Sequence, residues 1–220
     1  MLQSYIPLFP LEIVIFPTEK VNLHIFERRY KQMIHDCMRG DRVFGIVSSL
    51  NGEIKYGTTV LLKSINKVYN DGRMDIQVVG QRVFEVEEFE QVKHSREYPA
   101  GLIHYLPNDM VVKEDQVMEL KEQITEFFQA LEMVGRVGFN QQPQAFGIGH
   151  YLGLSIDQKY ALLQLQQETE RQEFLIHHLR ETIPVARQFN ESKRRIKMNG
   201  HYKYFDLGDD FRPNEGQHEN

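Results

Sequence analysis

Pro7-Leu8-Phe9-Pro10-Leu11, then Phe16-Pro17, then Leu23-His24-Ile25-Phe26-Glu27-Arg28-Arg29-Tyr30 set the frame for this chain. Proline cuts the apolar runs, because it fixes φ and has no N–H to give a ladder. At about Phe26 the period changes. Tyr30, Met33 with Ile34, Cys37 and Met38 recur at spacings of three and four, which is one apolar face of a helix. Residues 4–16 therefore read as a strand, a proline break and a second strand, and residues 27–39 as a helix. Glu27 suits the positive end of the helix dipole, and Gly40 suits the stop.

Downstream, the period is that of strands. Residues 42–48 and 58–69 are rich in Val, Ile, Leu and Thr. Asn51-Gly52 and Asn70-Asp71-Gly72 carry hairpin-turn chemistry. Met74, Ile76 and Val78 alternate with Arg73, Asp75 and Gln77. Gly80-Gln81 reads as a further turn into a strand over 82–88, and 99–106 reads as another. Hairpins with no helix between them point to a barrel or folded sheet.

The pattern shifts at Pro107-Asn108-Asp109. Val117, Leu120, Ile124, Phe127, Leu131 and Val134 space out a long helix ended by Gly135 and Gly138. A short piece runs from Gln141 to His150. Asp157 is placed to cap a helix or helix pair over 158–182, whose apolar face holds Leu162, Leu165, Thr169, Ile176, Leu179 and Ile183. Pro184 ends or kinks it. Beyond about Phe189 the apolar signal fades, and 197–220 reads as poorly ordered. The expected division is a barrel over 1–108, a helical unit over 109–190 and a charged tail over 191–220.

Composition bounds the function. With 41% apolar residues, the 220-residue chain can bury a core. A formal charge of −5 gives no footprint for nucleic acid. The basic run Lys193-Arg194-Arg195 with Lys197 is the one patch that could serve RNA. One cysteine, Cys37, forbids an internal disulfide. No secretory leader and no long apolar segment are visible, so a cytoplasmic location without a membrane partner is expected.

Recognisable catalytic chemistry is lacking. The sequence has no P-loop pattern, no G-x-S-x-G and no C-x-x-C. Gly147-Ile148-Gly149 does not follow a strand, so it is no dinucleotide loop. His177 and His178 are neighbours, point about 100° apart on a helix, and read as surface residues rather than metal ligands. Cys37 reads as core packing, and Glu87-Glu88 with Glu90 as a solvated strand end. No catalytic, metal or cofactor residue is expected. Glu27, Arg28 and Arg29 cannot all face a core. They read as helix-end electrostatics, or as a charged lip on a peptide-binding surface.

The opening stretch, with Phe44-Gly45-Ile46-Val47, Asp71-Gly72-Arg73, Gly80, Arg82-Val83-Phe84, Leu162-Leu163 and Glu170-Arg171, resembles the N-terminal substrate-binding domain of Lon (La) ATP-dependent proteases, in a standalone bacterial form. Three departures are visible. Thr18 stands where the family tends to have Gly, Arg28 where it often has Pro, and Gln172 where it often has Leu. The resemblance implies an α+β fold: a PUA-like antiparallel β pseudo-barrel with one helix, followed by a C-terminal α-helical bundle. It implies a non-enzymatic chain that binds unfolded or degron-bearing polypeptide, as an adaptor or chaperone-like factor beside an ATP-dependent protease or chaperone. Full-length Lon carries its ATPase and Ser–Lys protease on later domains, so proteolysis by this polypeptide is not expected. An RNA-binding PUA-like module is the alternative. A groove between barrel and helices is the expected place of capture, with Glu27–Arg29 steering.

Overall fold

The computed structural model describes residues 3–50, 52–91, 96–133 and 144–203, with side chains of the last helix described to residue 196. Six strands and five helices follow in the order β1 (Gln3–Leu11), β2 (Lys20–Ile25), α1 (Arg28–Arg39), β3 (Val43–Leu50), β4 (Glu53–Val68), β5 (Met74–Glu90), β6 (Ala100–Tyr105), α2 (Glu114–Ala130), α3 (Ala145–Gly149), α4 (Ile156–Gln164) and α5 (Glu168–Lys203).

The sheet order is β2-β5-β4-β3-β1-β6, and β5 also pairs with β6. Strands β5, β4, β3, β1 and β6 therefore close a ring, which removes most free edges. The sheet is mixed rather than wholly antiparallel, because β1 runs parallel to β3. The chain goes from β1 through β2 and α1 before entering β3, and such a crossover is what a parallel neighbour requires.

The break expected at Pro10 is no break, Pro17 stands outside the strands as expected, and no second strand forms before residue 16. Pro7 and Pro10 both lie within one strand, β1. Its first half pairs with β6 and its second half with β3. The Leu8 N–H donates to Pro99 on the β6 side. Successive N–H groups point to opposite sides of a strand, so Pro7 faces the β3 side before that pairing begins. Pro10 faces the β6 side after that pairing has ended. Neither ring removes a ladder bond. Gly80-Gln81 is likewise no turn, because β5 runs straight through it. A Cβ on Gly80 would stand 2.1 Å from the Phe16 carbonyl oxygen. The glycine permits backbone to cross backbone, and the crossing is tied by Thr18 N–H to Gly80 O and Gly80 N–H to Glu19 O, both 2.9 Å.

Helix boundaries shift for similar reasons. Ser155, not Asp157, caps α4 in a reciprocal capping box with Gln158. Of the helix or helix pair expected over 158–182, the pair is found, parted at Leu165-Gln166-Gln167. Pro184 lies inside α5, which continues to Lys203. The first part of the stretch read as a tail is thus helical. Val134, Gly135, Gly138 and Gln141 to Pro143 lie outside the described residues.

Among the described residues, three apolar clusters hold the fold. Leu8, Val47, Phe84 and Ile103 fill one side of the ring. Tyr30, Met33, Ile34 and Cys37 of α1 bury against Phe44, Ile46, Val60, Ile76 and Val78. The largest cluster joins α2, α3, α4 and α5 to Val14, Phe16 and Val83 of the barrel. Phe16 is fully buried there and stacks on Phe146 with ring centroids 5.5 Å apart. The helices α2 and α5 run parallel. Glu119–Arg180, Glu126–Arg187 and Glu132–Arg194 pair at near-heptad steps along them. These pairs are exposed, so they fix register more than they stabilise.

Candidate functional site

Two concavities have apolar side chains in their walls. The first is a groove of about 210 Å³ between β1, β2 and the start of α1. Phe9, Leu11, Leu23, Ile25 and Tyr30 floor it, and Phe26, Glu27 and Arg29 rim it. Phe26 is 61% exposed, unusual for so large an apolar side chain. It stacks loosely on His24, at 6.2 Å. His24 is held by Asp75 at 2.6 Å, and the Tyr69 hydroxyl donates to the same carboxylate at 2.8 Å. These two bonds, His24 first, hold the Asp75 carboxyl below its ordinary range.

The three expected lip residues do different things. Glu27 is the N-cap of α1, yet its side chain makes no cap hydrogen bond. It accepts from Arg29 Nε at 2.8 Å instead. The Arg29 guanidinium also lies 4.6 Å from the Tyr30 ring centroid, over its face. Arg28 points away to Glu97 at 3.2 Å, with 89% of its side chain exposed. The structure thus brings Glu27 and Arg29 to the groove and leaves Arg28 off it.

The second concavity, about 290 Å³, lies at the joint between barrel and helices. Its walls are Pro17, Val83, Leu106, Pro107, Phe146, Leu163 and Leu165, with Gln81, Arg82 and Asn108 at polar positions. The groove expected between barrel and helices therefore exists, but Glu27, Arg28 and Arg29 do not line it.

Behind this cleft sits a buried ion pair that sequence patterning missed. Arg171 is fully buried and Glu168 is 1% exposed. Arg171 donates to Asn108 Oδ1 at 2.6 Å and to the carbonyls of Gln166, Gln167 and Asp109 at 3.1–3.2 Å. Its Nη1 stands 3.4 Å from Glu168 Oε2. Glu168 accepts the Ala145 N–H at 2.7 Å and, more weakly, the Gln172 amide at 3.4 Å. Burial raises the Glu168 carboxyl and lowers the Arg171 guanidinium from their ordinary values. The pair thus ties the barrel exit at Asn108-Asp109 to α3 and α5. It also explains Gln172, whose amide serves this network rather than an apolar stripe. The available signal was that 168, 171, 172, 175 and 179 keep one three-four face, with polar residues on its first turn.

The remaining sequence candidates resolve as follows. Cys37 is buried and its thiol is pushed up to about 12, first by burial and then by Asp41 and Asp36. It is no nucleophile. His178 is not a surface residue: it is 7% exposed, with Nε2 3.0 Å from the Leu152 carbonyl and Nδ1 3.3 Å from the Gln158 amide. His177 is exposed beside Glu181. Glu87 is partly buried against His104 at 3.2 Å and accepts from Gln3. Among the described residues no group of three His, Cys, Asp or Glu side chains could hold a metal. Within the basic run, Arg194 is paired with Glu132. No described helix is long and apolar enough to cross a membrane.

Residues 5–181 match the family described as ATP-dependent protease La (LON) substrate-binding domain. The Lon protease of Cytophaga hutchinsonii is 23% identical over 217 residues, an alignment covering 90% of this chain and 26% of that protein. The chain therefore spans about a quarter of that relative. The crystal structure of a Lon N-terminal domain protein from Xanthomonas campestris superposes with a TM-score of 0.62 at 26% identity, over 79% of this chain and 98% of that one. The N-terminal domain of the Mycobacterium avium complex Lon protease superposes with the same TM-score at 15% identity, over 80% and 98%, and this likeness concerns the fold alone.

Proposed function

The chain belongs to the Lon substrate-binding domain family, and from that premise we propose that it binds unfolded or degron-bearing polypeptide without catalysing a reaction itself. The observation that carries the reading is Phe26. It stands exposed over an apolar groove whose rim is charged, which suits an extended segment with an apolar anchor. We take the five-strand ring to be PUA-like, and the chain to divide at about residue 108 into barrel and helical units, with 191–220 as a charged extension. On this reading the bound segment is passed to an ATP-dependent protease or a chaperone.

The lip acts as a pair. Glu27 and Arg29 satisfy each other, so together they present a dipole rather than a net charge. Arg28 is likewise paired, with Glu97, so it adds no uncompensated charge to the lip. Crosslinking to a reduced, permanently unfolded model polypeptide tests the reading. Phe26→Ser should weaken capture by about tenfold, in line with loss of one aromatic anchor. Glu27→Gln with Arg29→Gln should weaken it less. Absence of capture by the wild-type chain would refute the proposal. Capture that is indifferent to all three positions would move the site elsewhere.

A further inference from the structure

The cleft at the barrel–helix joint is chemically unlike the Phe26 groove. Arg82 is the one charged residue among those that line it. Its guanidinium carbon lies over the Tyr105 ring, 3.8 Å from the centroid, and no carboxylate pairs with it among the described residues. The second polar position, Asn108, has a fixed orientation. Arg171 can only donate, so the Asn108 atom facing it at 2.6 Å must be the oxygen. The amide NH2 of Asn108 is then a donor with no partner in the described structure. The cleft thus offers two donors, one of them cationic, at the edge of an apolar recess made by Val83, Phe146, Leu163 and Leu165.

Gln81 turns its amide nitrogen to the Val79 carbonyl at 3.5 Å, so the formal charge in the cleft is that of Arg82, which selects an anion or a carbonyl oxygen. An apolar wall rejects a bare inorganic ion, which would lose hydration there without compensation. A volume of about 290 Å³ lies at the small end of ligand pockets, roughly 300–1,000 Å³. These features are met together by one residue at the end of a polypeptide. We propose that this cleft seats the C-terminal residue of a client. Its apolar side chain enters between Phe146, Leu163 and Leu165, and its α-carboxylate is held by Arg82 and the Asn108 amide. The inference rests on the polypeptide-binding reading and narrows it: the cleft reads a free C-terminus, whereas the Phe26 groove holds extended chain regardless of its end. Stacking on Tyr105 pre-orders the Arg82 fork for a planar carboxylate.

The test uses the full chain and two fluorescent decapeptides of one sequence ending in Val-Leu, one with a free carboxylate and one amidated, read by anisotropy. Wild type should bind the free acid about tenfold more tightly than the amide, the worth of one charge-assisted contact. Arg82→Gln lies on an exposed strand position. It should abolish that preference while leaving the amidated peptide bound as before. Asn108→Asp keeps an acceptor for Arg171 but replaces the donor with a like charge, so it should reverse the preference. Equal binding of acid and amide by wild type would overturn this inference alone, provided the unfolded polypeptide still binds. Retention of the preference by Arg82→Gln would overturn it as well. Failure of wild type to bind any polypeptide would overturn both this inference and the reading beneath it.

Discussion

Removing Arg171 should cost far more than removing Glu168, although the two form one ion pair. In Arg171→Met the new side chain can still cover the Phe146 ring, over which the guanidinium sits at 4.3 Å. It cannot replace the donors to Asn108 and to the carbonyls of Gln166, Gln167 and Asp109. It also leaves Glu168 buried beside only the Ala145 N–H and the Gln172 amide. Breaking a buried pair in this way costs about 3–5 kcal/mol. In Glu168→Gln the Ala145 N–H keeps an acceptor and Arg171 keeps its other four bonds. The loss is then about 1–2 kcal/mol, near that of one buried hydrogen bond to a charged group.

The pH dependence separates this from simple packing. Burial raises the folded-state value of Glu168 above its unfolded one. The stability it contributes is therefore complete below the unfolded value of about 4.3 and is lost as pH rises through the raised folded value. Gln does not titrate. The cost of Glu168→Gln should accordingly be largest in acid and shrink toward neutrality. The cost of Arg171→Met should run the other way, because the abandoned carboxyl can take up a proton in acid. Urea unfolding of the three proteins, followed by far-ultraviolet circular dichroism between pH 4 and pH 8, measures both slopes. Equal losses at neutral pH, or slopes of the opposite sign, would refute the argument that this pair is dominated by desolvation.

Three further outcomes follow from backbone and burial. Thr18 holds φ +70 at the third position of the Phe16-Pro17-Thr18-Glu19 turn, closed by Glu19 N–H to Phe16 O at 3.1 Å. A β-branched residue is strained there, so Thr18→Gly should raise stability by about 0.5–1 kcal/mol, net of the entropy glycine adds to the unfolded chain. A lower midpoint in urea would contradict this. Gly80→Ala places a methyl 2.1 Å from the Phe16 oxygen and should destabilise by about 3 kcal/mol, seen as a lower thermal midpoint. Cys37 should resist a thiol reagent at pH 8 in the native chain and react within minutes once unfolded in urea, since burial keeps it protonated. Rapid native labelling would show that α1 opens locally.

The sequence alone carried a good deal. The three-four spacing of Tyr30, Met33, Ile34 and Cys37 located α1 and its core face, because a helix that must bury one stripe writes that stripe into the chain. Alternation at Met74, Ile76 and Val78 located a strand for the same reason, with a period of two. The Pro7–Tyr30 stretch was distinctive enough to identify the family. What local pattern could not carry was anything decided by a second segment. Gly80 looks like a turn until the Phe16 carbonyl is found pressed against it. Pro10 looks like a break until β1 is seen to change partners beside it. Gln172 and His178 look misplaced or exposed until Glu168, Leu152 and Gln158 arrive to bond them. The placement of Arg82 and Asn108 at one cleft, and of Glu27 and Arg29 at another, likewise depends on segments far apart in the chain. Periodicity records which face of an element is buried, and only the folded chain settles what is buried against it.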